Sequence, residues 1–186
     1  MTLENPKNFL RFKAFALLTG LLFTASALRA VEVRSEEGVW TGWVSWVADG
    51  DTLLVLPELA HEPVKVRLDG IDAPESCQPG GSASRDAMIG LVQRKTVRVF
   101  VRGTDSYGRV LARVEVDGRD VAADMVVQGM AWAYRFRESS GPYAALERQA
   151  RQQKKGLFAD PQAMTPRVFR QFHGSCQHHE PPLKGS

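Results

Sequence analysis

The side chains with the clearest chemical potential fall in three short segments. Asp49-Gly50-Asp51-Thr52 lies between two apolar stretches, and Val64-Lys65-Val66-Arg67-Leu68-Asp69-Gly70-Ile71-Asp72-Ala73-Pro74-Glu75 begins twelve residues after Thr52. Asp105-Ser106-Tyr107-Gly108-Arg109 follows, with its arginine at the start of another strand-like run. Carboxylates that converge bind a hard divalent cation through oxygen. Two guanidiniums can grip a phosphate, because each planar fork donates to two oxygens at once. This combination suits cleavage of a phosphodiester.

Five short strands must carry these groups. Trp40 to Ala48 and Thr52 to Leu56 flank the hairpin turn Asp49-Gly50. Val64 to Ile71 is a third strand, interrupted soon after by Pro74. A loop from Ser76 leads into a helix starting near Ser82 or Ser84, with Met88, Ile89, Leu91 and Val92 as its apolar stripe. Thr96 to Val101 and Val110 to Val116 supply the fourth and fifth strands. Val121 to Gln128 reads as a short helix stopped by Gly129, followed by the extended aromatic segment Met130 to Phe136. Pro142 to Lys155 is a longer helix with Tyr143, Leu146 and Ala150 on one face and Gly156 as its stop. Beyond Asp160 the Pro, Gln and His content predicts an irregular tail. Periodicity alone leaves several small α+β folds open.

The three charged segments, in this order and at these spacings, resemble those of the thermonuclease family with its staphylococcal-nuclease-like fold. The resemblance runs from about Trp40 to Phe158. It implies an α+β fold that is mainly β, a five-stranded OB-fold barrel with about three helices. Residues 39–160 would form that domain and residues 161–186 a C-terminal tail. It also implies an endonuclease that hydrolyses DNA by calcium-assisted attack of water and leaves 3′-phosphate ends. Nothing in the chain selects deoxyribose over ribose, so RNA is a further expected substrate. The alternative is an OB-fold module that binds nucleic acid without chemistry; such a module has no need of all five charged side chains.

On this resemblance Asp51 and Asp72 hold Ca²⁺, with the backbone carbonyl of Ala73. The family commonly has threonine where Ala73 stands, so the carbonyl is kept and a hydroxyl is lost. Glu75 takes the place of the general base, a role typically worth about 10²–10⁴-fold. Arg67 and Arg109 would stabilise the charge that gathers on phosphate oxygens at the transition state. Tyr107 and Tyr134 lie where family tyrosines meet the nucleotide, although core or rim packing explains them equally well. Taken singly, each aspartate could merely cap a turn, and each arginine could merely pair with Asp69 or Asp105. Trp40, Trp43, Trp46 and Trp132 read as packing residues. His173, Cys176, His178 and His179 match no familiar zinc spacing.

The ends and the charge balance bound the setting. Lys7, Arg11, Lys13 and Arg29 against Glu4 account for the whole formal charge of +3, so the rest of the chain is neutral. Global basicity therefore gives no argument for nucleic-acid binding, and any positive potential must be local. A basic stretch, an apolar run from Ala14 to Leu28 and small residues follow the plan of a cleaved signal peptide over residues 1–30. A polar linker over residues 31–38 would follow. The apolar run is shorter than the ~20 residues a spanning helix needs. The expectation is therefore a monomeric mature protein with no stable membrane anchor, periplasmic or secreted. Cys77 and Cys176 are the two cysteines. In an oxidising compartment they would pair, stabilising the domain by roughly 4–5 kcal/mol in the chain-entropy account; two free thiols are the other reading. N-terminal sequencing of the native protein should find a chain that begins after Ala27 or Ala30. Recovery of Met1 would count against export.

Overall fold

A computed structural model describes residues 38–134, 140–174 and 176. The expected leader, nearly all of the linker, His178 and His179 lie outside the described residues. Strands β1 (Val39–Val47), β2 (Thr52–Pro57) and β3 (Val64–Leu68) form an antiparallel meander. Helix α1 (Gly81–Val92) follows the two-residue strand β4 (Ile71–Asp72). β5 (Thr96–Thr104) pairs antiparallel with β1 and with β6 (Val110–Val116). A parallel pairing of β3 with β6 closes the barrel, in the register Val66 to Val110 and Leu68 to Ala112. The expected five-stranded OB-fold barrel is thus the architecture of the domain.

Alternation explains the closure. In β5, Val97 and Val99 point inward and are buried, whereas Thr96 and Arg98 face out. The interior is filled by branched side chains, among them Val44, Leu53, Val55, Val66, Leu68, Val99 and Val114. Register shifts near Val44–Trp46 in β1 and Val101–Gly103 in β5 bend these strands around the core. Met88 and Val92 of α1 are fully buried against this core. Trp40 and Trp132 pack as expected, but Trp43 lies on the outer face and is 47% exposed. Period-2 alternation turns its side chain away from the interior that its neighbour Val44 enters.

After the barrel come β7 (Arg119–Asp120), α2 (Val121–Val127), β8 (Trp132–Ala133) and α3 (Ala144–Gln152). Asp120 caps α2 by accepting from the Ala123 N–H at 3.1 Å, and its other oxygen accepts from the Tyr143 hydroxyl at 2.9 Å. Glu147 is buried on α3; it accepts from the Ala133 N–H and from Arg151 Nε, both at 2.7 Å. These bonds fasten β8 and the helices to one another, and β8 pairs with β4.

Two expectations need correction. The third strand does not run unbroken to Ile71: Asp69-Gly70 turns the chain, and β4 resumes in a separate pairing with β8. The region beyond Asp160 is not simply irregular, because Pro166–His173 forms α4. Thr165 occupies its N-cap position and Pro166 its first turn, where a missing N–H costs nothing. The described domain therefore has four helices. Among the described residues no helix is long and apolar enough to cross a membrane. Cys77 and Cys176 form a disulfide, as expected for paired cysteines in an oxidising compartment.

Gly70 has a left-handed φ of +80°, and an added Cβ would lie 2.9 Å from the Tyr143 ring. Gly70→Ala should lower stability by about 1–3 kcal/mol from the backbone alone. Urea unfolding checks this, and an unchanged midpoint would contradict the assigned turn.

Candidate active site at the barrel mouth

Asp51 is the innermost polar group of the site, 2% exposed, just before β2. The turn that places it is tightly packed. Asp49 accepts from the Asp51 N–H at 2.9 Å, and a Cβ on Gly50 would collide with Ser84 Oγ of α1. Glycine is what lets helix and turn approach. Asp51 Oδ1 accepts from Thr52 Oγ1 at 2.9 Å and from Arg67 Nη1 at 2.6 Å. Its Oδ2 accepts from the Ala73 N–H at 2.9 Å.

Strand register brings the arginine to this carboxylate, since Thr52 stands opposite Arg67 in the β2–β3 pair. The Asp69-Gly70 turn then returns the chain so that Asp72 faces the same guanidinium. Arg67 Nη2 donates to Asp72 Oδ1 at 2.9 Å and, more loosely, to the Ile71 carbonyl at 3.4 Å. Arg67 thus bridges both aspartates, rather than pairing with Asp69.

The electrostatics follow from burial. Burial pushes the Asp49 carboxyl up to about 7, with the nearby Asp51 charge adding to the effect. Burial and the Asp51 charge also raise Asp72, against the opposing pull of Arg67 and Arg170. Burial disfavours a charged Arg67, but Asp51 and Asp72 outweigh it and hold the guanidinium well above its ordinary value. Three acidic groups crowd around one half-buried cation.

Glu75 lies just past β4 in a folded loop. Its N–H donates to Gln78 Oε1 at 3.2 Å, and its carbonyl accepts from the Gln78 N–H at 2.9 Å. Arg109 immediately precedes β6, whose parallel register with β3 begins with Val110 opposite Val66. Its Nε donates to Asp105 Oδ2 at 2.7 Å, and Asp105 Oδ1 accepts from the backbone N–H groups of Tyr107 and Arg109. Burial is the largest single influence on the Asp105 carboxyl and raises it, but the bonds from Arg109 and Tyr107 and the Arg109 charge together outweigh it and leave the carboxyl below its ordinary value. The Arg109 guanidinium also lies 5.3 Å from the centre of the Tyr107 ring.

Asp51, Arg67, Asp72, Glu75 and Arg109 all line one open pocket of about 760 Å³. Ala73, Tyr107 and Tyr134 line it as well. Tyr107 is 83% exposed and Tyr134 44%, which suits a pocket rim rather than the core. Sequence reasoning missed Arg170, which enters the same pocket from α4. Its Nη1 donates to Glu75 Oε1 at 2.5 Å and its Nη2 to Asp72 Oδ2 at 3.3 Å. A signal was present in Thr165-Pro166 followed by Val168, Phe169 and Phe172, an N-terminal helix start with helical apolar spacing. Of the tail's candidate metal ligands that are described, Cys176 is in the disulfide and His173 stacks on Phe169. Among the described residues no three His, Cys, Asp or Glu side chains form a ready metal cluster.

A closed OB-fold barrel with carboxylates and arginines at one mouth defines the architectural class. The family described as Staphylococcal nuclease homologue matches residues 65–160, just over half of the chain. Protein ParB of Escherichia coli is 42% identical over 164 residues, covering 81% of this chain and 90% of its own. An uncharacterized endonuclease of Haemophilus influenzae is 36% identical over 154 residues, covering 83% and 84%. A micrococcal nuclease of Shigella flexneri is 37% identical over 140 residues, covering 69% and 79%. The chain belongs to the staphylococcal nuclease homologue family.

Removing Arg67 would leave buried aspartates without their cation. Arg67→Ala should therefore destabilise the metal-free protein by about 3–5 kcal/mol, with partial recovery when Asp72→Asn is added. Urea titration of the single and double variants measures both, and additive losses would mean the carboxylates are independently solvated.

Proposed function

We propose that this protein is an exported, calcium-dependent endonuclease that hydrolyses phosphodiester bonds in DNA and RNA and leaves 3′-phosphate ends. The reading rests on one observation above all: Asp51, Arg67, Asp72, Glu75 and Arg109 meet in a single open pocket. It draws support from relatives named as endonuclease and as micrococcal nuclease. A binding module accounts for the barrel but not for an arginine held between two buried aspartates.

The donor chemistry fits a hard cation. Asp51, Asp72 and the Ala73 carbonyl offer only oxygen, and an ionised carboxylate has more acceptor sites than the N–H donors engaged here. So few protein donors would hold Ca²⁺ loosely and leave positions for water and phosphate. When bound, the ion would supply positive charge next to the scissile phosphate.

The protein groups do the rest. Glu75 receives a proton from water aligned for in-line attack on phosphorus. Arg67 and Arg109 neutralise the charge that builds on the phosphoryl oxygens, and they are most effective because they are held in place beforehand. Arg109 is held through Nε and keeps further donors for the phosphate. Tyr107 and Tyr134, on the rim, suit stacking with unpaired bases, which would favour single-stranded or flexible regions. A disulfide suits an oxidising compartment outside the cytoplasm.

Purified mature protein should digest denatured DNA with calcium and not with chelator. Arg67→Ala and Arg109→Ala should each lower turnover by about 10²–10³, the loss typical of a missing transition-state donor. An absence of calcium-dependent products at high protein concentration would favour the binding module.

A further inference from the structure

Arg170 is presented to the pocket by an element fixed at both ends to the loop that carries Glu75. Before α4, the Met164 carbonyl accepts from Gln78 Nε2 at 2.6 Å, and Gln78 itself is buried. After α4, Cys176 is bonded to Cys77. Between these points Pro166 and Phe169 are buried, and Phe169 faces an apolar hollow lined by Pro79, Leu157 and Met164. Gln78 and Cys77 are the loop residues just past Glu75, so helix and glutamate are gripped as one unit.

We propose that Arg170 is a positioning residue for Glu75, and that the Cys77–Cys176 bridge serves to hold it there. The inference rests on the nuclease reading for the role of Glu75. A glutamate on a loop has three side-chain torsions to lose, and a wrong rotamer misplaces its water. The 2.5 Å bond from Arg170 Nη1 fixes Oε1, and we assign Oε2 to the water. The weaker 3.3 Å contact with Asp72 makes Glu75 the principal partner. Because α4 is already docked, Arg170 reaches Glu75 without ordering a free tail at each turnover. A lysine at this position could not donate from two nitrogens to two carboxylates.

The test uses the mature protein with calcium and denatured DNA, comparing wild type, Arg170→Ala, Arg170→Lys and Cys77→Ser/Cys176→Ser. Arg170→Ala should lower kcat by about 10- to 100-fold, the range for residues that orient a catalytic group. KM should stay within about twofold, since substrate binding is not what is lost. Added guanidinium ion should restore part of the kcat of Arg170→Ala and nothing in the wild type, while Arg170→Lys should recover less than guanidinium does. The disulfide-free variant should share the kcat loss, and combining it with Arg170→Ala should cost little more. A crystal structure of Arg170→Ala gives a readout independent of turnover: Glu75 should leave its present position. An unchanged or raised kcat, fully additive losses, or Glu75 undisturbed in that crystal would each overturn the assignment. Inactivity of the wild type would refute the nuclease reading instead, with the crystallographic result still deciding whether Arg170 positions Glu75.

Discussion

Arg67 has to satisfy two carboxylates that would otherwise repel each other at the mouth of the barrel. Its planar fork spans them, one nitrogen on Asp51 and the other on Asp72. Such a buried arrangement is a poor source of net stability, because desolvation of the ions consumes most of the Coulomb gain. Its value lies in geometry. The guanidinium fixes the aspartates relative to the sheet, and the turn at Gly50 and the reversal at Gly70 deliver them to it.

The closure of the barrel extends that geometry to the second arginine. Four of the five strand contacts are antiparallel, but β3 and β6 run parallel, which brings two chain segments far apart in sequence to the same rim. Arg67 leaves from near the end of β3 and Arg109 from the residue just before β6. Local sequence decides which residues are charged, while this long-range pairing decides that the charges share a pocket.

That division explains what could be read from the chain. Strands were legible where β-branched residues alternate with polar ones, as in Val97, Val99 and Val114, since the period itself encodes the inward face. The five charged residues were legible through types, order and spacing. Arg67's partners were not, because Asp69 is nearer in sequence while the Gly70 reversal selects Asp72. Helix α4 was obscured by a composition rich in Pro and Gln, although Thr165-Pro166 is a sound helix start. Arg170 could not have been placed from spacing at all: its partner Glu75 is 95 residues away, and only tertiary docking relates them. It also lies outside residues 65–160, the span matched by the family.

The covalent link between Cys77 and Cys176 encloses α1, two barrel strands and every later helix in one ring. Cleavage of any surface loop inside that ring would open the chain without releasing a fragment. The ring therefore confers tolerance of nicking, since the severed pieces stay tethered and can remain packed against one another.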